Sequence, residues 1–131
     1  MSRTVALAVD LPCAAQRLYS MYLDPKQHAA ITGAPVRIAA RVGAPFHAFG
    51  GALSGRILQI VPKRLIVQSW RSTEFAKSDI DSTLILSFSG TRKRGRIELT
   101  HVNVATSDFA GVSEGWWKYY FTPWRAHLLR R

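Results

Sequence analysis

Cysteine is nearly absent from this sequence, since Cys13 is the single one among 131 residues. One cysteine excludes an internal disulfide and any zinc site built from several thiolates. The first twelve residues, MSRTVALAVDLP, lack the apolar run that forms the core of a signal peptide. Together these absences predict a cytoplasmic protein.

Long hydrophobic stretches are missing as well. No uninterrupted run approaches the roughly 18 to 20 apolar residues that a helix needs to cross a bilayer. The aromatic segment near the C-terminus is interrupted by Glu114, Lys118 and Arg125. The sequence therefore predicts no membrane span.

Acidic residues are scarce: 8 Asp and Glu stand against 18 Lys and Arg, giving a net charge of +10. Such a charge attracts polyanions. Yet the densest basic cluster, Arg92 to Arg96, lies between two strand-like segments, where charges usually decorate a solvated turn. No basic region alternates with aromatic residues as single-strand binders require, so only the charge favours a nucleic-acid partner.

What is present is the material for one domain, predicted over residues 1–131. A chain of this size, with 47% apolar residues, buries a sizeable core. The pattern predicts a strand at Arg3–Val9, a short helix after Pro12, and a second helix from Asp24-Pro25 to about Ile31, stopped by Gly33. Alternation then predicts a strand over 36–42, followed by glycine-rich turns between short strands that carry Phe46 and Phe49.

Four further strands are predicted in two antiparallel pairs, 56–61 with 64–71 and 82–89 with 96–104. The chain closes with a helix over 111–131, kinked at Pro123. One broad face of this helix is predicted to be buried, and it comprises Trp116, Trp117, Tyr120, Phe121, Trp124 and Leu128. Strands in the middle and a long helix last are typical of an α+β fold.

Six short motifs carry a family resemblance: HAAITG at 28–33, FGG at 49–51, VQSWR at 67–71, STL at 82–84, HVNV at 101–104 and GWWKYYF at 115–121. In order and spacing they resemble the family of the activator of heat-shock protein 90 ATPase, within the START-like (SRPBCC) superfamily. The resemblance implies a helix-grip fold, in which a curved antiparallel sheet wraps around a long C-terminal helix and two short helices join the first two strands.

The resemblance also implies a cavity between sheet and helix that suits a small hydrophobic or amphipathic ligand. The residues we expect to line it are Phe49, Trp70, Phe88, His101, Trp116, Tyr120 and Trp124. No cofactor or metal is expected, because the four histidines show no metal-ligand spacing. A packed core without any cavity is the competing interpretation. Fold analogy transfers a pocket rather than a reaction.

Two other functions stay open at this stage. The first is an enzyme of the polyketide-cyclase or hydrolase type, with His101 or Tyr120 as acid–base group. Against it, a histidine on the apolar parity of a strand is also typical of a hydrogen-bonded core residue. The second is an interaction module for a chaperone or another acidic protein. Cys13 could be a reactive thiol if a cation or a helix N-terminus lowered its pKa. The oligomeric state, monomer or dimer, is left open.

Overall fold

Seven antiparallel strands form one sheet in the computed structural model, which describes residues 2–130. The strands are β1 (Ser2–Leu11), β2 (Val36–Arg37), β3 (Pro45–Ala48), β4 (Leu53–Val61), β5 (Leu65–Ser72), β6 (Ser82–Gly90) and β7 (Gly95–Ala105). Their order across the sheet is β1-β7-β6-β5-β4-β3-β2. The chain therefore runs as a meander from β2 to β7, and β1 closes onto the far edge.

Two short helices, α1 (Ala15–Leu23) and α2 (Pro25–Thr32), connect β1 to β2. After β7, a 3₁₀ turn (Thr106–Asp108) leads into α3 (Phe109–Gly115), a π-helical turn (Trp116–Phe121) and α4 (Thr122–Leu129). Helical backbone angles continue through both junctions. Residues 109–129 therefore form one long helix, called the C-terminal helix below, and the architecture is the helix-grip fold that the family resemblance implies.

The predicted limits of α2 are confirmed by its caps. The Asp24 carboxylate accepts hydrogen bonds from the backbone N–H groups of Lys26 and Gln27, and Pro25 fills the first turn, where no intrahelical donor is needed. At the other end Gly33 adopts φ +79°, a left-handed conformation that glycine adopts without a side-chain clash.

The core lies between the concave face of the sheet and the helices. Alternate residues of β5 and β6 are buried, as a sheet with one covered face requires. Helix α1 packs on β6 and β7, α3 contacts β1 and β7, and α4 contacts α2. Register shifts in β1 and β4 mark bulges, which bend strands and help the sheet to curve.

The predicted strand over 36–42 is wrong beyond its first two residues. Val36 and Arg37 pair with Ala48 and His47, but β3 is only four residues long and offers no partner for residues 38–42. Local turns take up the backbone there, with the Arg41 N–H bonded to the Ala39 carbonyl. The apparent alternation in sequence thus had no neighbouring strand to sustain it.

Pro123 is accommodated by a change of helix type. A proline has no N–H to donate and crowds the carbonyl four residues earlier, here Tyr119. The turn immediately before it is widened to a π-helix, and the Thr122 N–H bonds to the Trp117 carbonyl, five residues back. The helix ends at Leu129; the predicted end at Arg131 lies outside the described residues.

One predicted member of the buried helix face is misplaced, because Trp117 is 38% exposed. Within residues 2–130, none of the helices has both the length and the apolar character that a bilayer crossing requires.

Candidate functional site

A cavity of about 380 Å³ lies between the first half of the C-terminal helix, the start of β4 and the end of β5. Its volume falls within the roughly 300 to 1,000 Å³ typical of small-molecule sites. The lining comes from three places, the turn before β4, the end of β5 and one face of the helix: Phe49, Ala52, Leu53, Trp70, Ser72, Thr73, Glu74, Asp108, Gly111, Val112, Gly115, Trp116, Tyr119 and Tyr120.

Two glycines on the helix leave room for this space. Gly111 and Gly115 are four residues apart, so they share the helix face that lines the cavity. A Cβ added at Gly115 would meet only the Tyr119 ring, 3.6 Å away, and one added at Gly111 would meet an Asp108 carboxylate oxygen at 3.0 Å. The helix is therefore hollowed where side chains are missing.

Five aromatic rings belong to the cavity wall. The Trp116 and Tyr120 ring centroids are 4.8 Å apart, and Trp70 lies 6.5 Å from Trp116. On the other side, the Phe49 ring meets Tyr119 edge-on at 5.5 Å. These contacts lock the rings against one another and leave their remaining surface to the cavity.

Phe49 reaches this wall from a turn rather than from the predicted strand. It has φ +53°, and Gly50 and Gly51 follow with φ +66° and +91°. A left-handed conformation is costly for a phenylalanine, and such strain concentrates at functional sites. The FGG turn thus holds one aromatic ring over the cavity at a local energetic cost.

The charged part of the lining is acidic. Asp108 precedes the helix and Glu74 follows β5, and both belong to the cavity lining. Burial raises the pKa of Asp108, a hydrogen bond from Ser72 opposes that rise, and the Glu74 charge adds to it. Sequence reasoning missed this pair, because the two carboxylates are 34 positions apart and lie outside regular strands.

An indole N–H adds an unused donor. Trp70 lines the cavity and is 5% exposed, and its Nε1 has no hydrogen-bond partner among the described residues. A buried donor without an acceptor costs free energy in most proteins.

Four of the seven residues expected at the site are found in this lining: Phe49, Trp70, Trp116 and Tyr120. The other three are buried elsewhere. Phe88 packs edge-on against Tyr19 of α1, with centroids 5.7 Å apart. Trp124, 1% exposed, lies in α4, which covers α2. His101 lies behind Trp116 and takes part in a hydrogen-bond chain.

That chain fixes the tautomer of His101. Its Nδ1 accepts from the Trp116 indole N–H at 3.2 Å, so Nε2 carries the proton and donates to the Ser82 hydroxyl at 2.7 Å. Ser82 in turn donates to the Trp70 carbonyl at 2.6 Å. Burial lowers the pKa of His101 to about 3. The imidazole is a neutral structural link between Trp116 and the sheet, as the core interpretation expects, and both ring nitrogens are engaged.

Tyr120 is anchored in a similar way by His28, a residue that the sequence reasoning did not single out. The His28 Nδ1 lies 2.7 Å from the Tyr22 carbonyl, so it donates there, and Nε2 accepts from the Tyr120 hydroxyl at 2.9 Å. Burial lowers the pKa of His28 to about 4 and raises that of Tyr120. In a separate hydrogen bond, the Tyr22 hydroxyl donates to the side-chain oxygen of the buried Gln68.

Cys13 does not have the environment of an activated thiol. It is buried, and burial raises the pKa of its thiol against the weaker opposing effect of Arg17. The open alternative of a reactive cysteine therefore has no structural support.

A second, more open groove of about 520 Å³ lies on the other side of the C-terminal helix. Its walls combine basic and apolar side chains, among them Lys93, Arg94, Arg125, Trp117 and Leu129, with one acidic residue, Asp10. Trp117 and Leu129 are 38% and 64% exposed. Arg125 is partly used, since its guanidinium donates to the Asp10 carbonyl at 2.7 Å. This surface is here called the basic groove.

Metal binding has no candidate cluster: among residues 2–130, no group of three or more His, Cys, Asp or Glu side chains is placed to hold an ion.

Comparison with known proteins gives a consistent result. The family model described as activator of Hsp90 ATPase homolog 1-like protein matches residues 12–125. The human activator of 90 kDa heat shock protein ATPase homolog 1 is 26% identical over 106 residues, which are 81% of this chain and 31% of the human protein. This chain thus corresponds to about a third of that relative.

Solved structures support the same fold. An HSP90 activator from Plasmodium falciparum, PFC0360w, superposes with a TM-score of 0.87 at 19% identity and 95% coverage of both chains. CalU16 from Micromonospora echinospora gives a TM-score of 0.75 at 22% identity, covering 90% of this chain and 71% of that one. At these identities the likeness is one of fold.

Proposed function

Because the chain belongs to the family of activator of Hsp90 ATPase homolog 1-like proteins, which shares the helix-grip fold, we propose that it binds a small hydrophobic or amphipathic ligand in the cavity under the C-terminal helix. The observation that carries this proposal is the cavity itself, about 380 Å³ with five aromatic side chains in its lining. Apolar walls with a few convergent polar groups are typical of ligand sites.

The glycine pair supports the proposal. Glycine in a helix interior costs about 0.5 to 1 kcal/mol relative to alanine. The chain has two of them on the cavity face, within a segment that is otherwise rich in bulky rings. An empty space maintained at that cost favours a cavity that is used over a packing defect.

Catalysis has weaker support. His101 and Tyr120, the two acid–base candidates, are both held in buried hydrogen bonds to other protein groups. Burial keeps the imidazole neutral and the phenol protonated. The hydrogen bonds from Trp116 to His101 and from Tyr120 to His28 hold the two rings in the cavity wall, which supports a binding role.

The test is a cavity-filling variant, Gly115→Leu. A panel of aromatic and aliphatic amphiphiles is titrated by calorimetry into the wild type, into Gly115→Leu and into Ala110→Leu. The control Ala110→Leu places the same leucine side chain at an exposed position of the same helix. We expect binders of the wild type to bind Ala110→Leu equally and to lose at least tenfold in affinity for a folded Gly115→Leu. Equal binding by all three proteins contradicts the proposal.

A second candidate function is binding to a chaperone, and the basic groove is the observation that favours it. The groove pairs exposed Trp117 with Lys93 and Arg94, a combination that fits an acidic partner with apolar side chains. The human relative is named as an activator of a 90 kDa heat shock protein ATPase. Binding of that heat shock protein that weakens with salt and with Trp117→Ala, but survives Gly115→Leu, would assign the interaction to this groove.

A further inference from the structure

The charge of the cavity identifies the class of its ligand. Resting on the proposed function, we infer that the cavity takes a hydrophobic cation, with an ammonium group placed between the carboxylates and the aromatic rings. Neither the family match nor the fold predicts this preference, and the net charge of +10 predicts the opposite one.

The lining differs sharply from the rest of the molecule in its charge. The chain has 18 Lys and Arg against 8 Asp and Glu, yet the described lining contains Glu74 and Asp108 and no basic side chain. Asp108 is partly buried here, where charges act through a lower effective dielectric than in water, whereas Glu74 is exposed and is screened more by solvent. The local field of the two carboxylates therefore opposes the field of the whole protein where a ligand would sit.

Aromatic rings reinforce the same selectivity. A cation over the face of Trp, Tyr or Phe is attracted by the ring quadrupole, by more where water is excluded. Trp70, Trp116, Tyr119, Tyr120 and Phe49 all contribute to the lining. Aromatic rings of this kind recognise quaternary ammonium groups in many binding sites.

Three basic side chains contact groups other than Glu74 and Asp108. The Arg3 guanidinium stacks on Phe109, 3.8 Å from the ring centroid, and Arg71 pairs with Asp81 at 3.2 Å. The Lys118 amine lies over Tyr119, 5.3 Å from its centroid. None of these three belongs to the cavity lining, so the carboxylates are not neutralised from within the site.

The experiment compares three probes that share one hydrocarbon: naphthylmethylammonium, naphthalenemethanol and naphthoate. Calorimetric titration at moderate salt is expected to rank the cation first and the anion last. We expect the cation to bind roughly tenfold more tightly than the neutral alcohol. The alcohol reports the cavity's hydrophobic contribution without charge.

Variants locate the effect. Glu74→Gln and Asp108→Asn are each expected to weaken the cation about threefold while leaving the alcohol unchanged. Glu114→Gln removes the same charge from an exposed position of the C-terminal helix and should change neither. Thermal unfolding checks that each variant folds. If Asp108→Asn does not fold, the test relies on Glu74→Gln alone.

The outcomes separate the two proposals. If the alcohol or naphthoate binds as tightly as the cation, and Gly115→Leu abolishes that binding, the inference is overturned while the ligand-binding function stands. Cation binding that survives both carboxylate variants also overturns it. If none of the three probes binds to the wild type, the inference fails together with the proposed function for ligands of this size.

Discussion

Ser82 is the residue on which the position of Trp116 depends. Its hydroxyl accepts from His101 and donates to the Trp70 carbonyl, and it is fully buried. His101 in turn accepts from the Trp116 indole. One small polar side chain on β6 therefore connects a strand carbonyl to a ring in the cavity wall through a single imidazole.

Ser82→Ala is accordingly expected to lower the free energy of unfolding by about 1 to 3 kcal/mol, because it leaves the His101 Nε2–H buried without an acceptor. Urea denaturation measures the change. Ser89→Ala, at an exposed position of the same strand, is the control and should stay within about 0.5 kcal/mol of the wild type. Equal effects of the two substitutions would show that the hydrogen-bond chain contributes little.

Individual residues differ in how well the local sequence predicts their position in the structure. Strand parity placed Trp70 and His101 inward, and it applies equally to Gln68, whose burial could have been found from its alternation with Ile66 and Trp70. Nothing in the local sequence of Asp108 or Glu74 brings them to one cavity. Their approach follows from how β5 and the C-terminal helix pack, which is a tertiary property.

At the scale of elements, the C-terminal helix does the most to shape the site. Its amphipathic pattern predicted burial of Trp116, Tyr120, Phe121 and Trp124, and all four are at most 4% exposed. Trp117 was expected among them on a uniform helical period of about 100° per residue. The π-helical turn over 116–121 breaks that period, so periodicity misassigns the ring.

Gly115→Ala tests whether Gly115 lowers the stability of the folded protein while it leaves space in the cavity. The added methyl would contact only the Tyr119 ring at an ordinary distance, and alanine removes the entropic cost of glycine in a helix. We expect the free energy of unfolding to rise by about 0.5 to 1 kcal/mol, as measured by urea denaturation, while affinity for cavity ligands falls.

The same substitution at Gly111 is the comparison. Its Cβ would lie 3.0 Å from an Asp108 oxygen, so that side chain must shift, and we expect a smaller gain or a loss. If Gly115→Ala instead lowers the free energy of unfolding, glycine stabilises the folded protein at this position and the prediction is wrong.

For the whole molecule, the two buried imidazoles couple stability to pH. Burial depresses the pKa of His28 to about 4 and of His101 to about 3, below the value of about 6.5 expected in the unfolded chain. Below that pH the unfolded chain binds protons that the folded protein does not. Stability is therefore fully present above about pH 6.5 and declines as the pH falls towards the folded values.

Urea unfolding between about pH 7 and pH 5 should reveal this coupling, with each histidine contributing a slope of up to about 1.4 kcal/mol per pH unit. His28→Gln should be less stable at neutral pH, because a buried hydrogen-bonded ring is lost, and should show a shallower slope. A wild-type stability that does not change over this interval would contradict the prediction.

The order of the elements in the chain was predictable because hydrophobic period, caps and turns act locally. The extent of the second strand was not, because it depends on the length of β3 beside it. The cavity also depends on tertiary packing. The rings of the C-terminal helix predicted an apolar face, but the space beneath them is determined by the residues of the sheet that lie opposite.

Gly111 and Gly115 leave space in the cavity wall, so a change in one codon is enough to alter the volume of the cavity. One nucleotide converts a glycine codon into an alanine codon, and each such change would shrink the hollow by a methyl group without disturbing the rings around it. Substitutions at these two positions would therefore change the volume under the C-terminal helix while the fold stays constant.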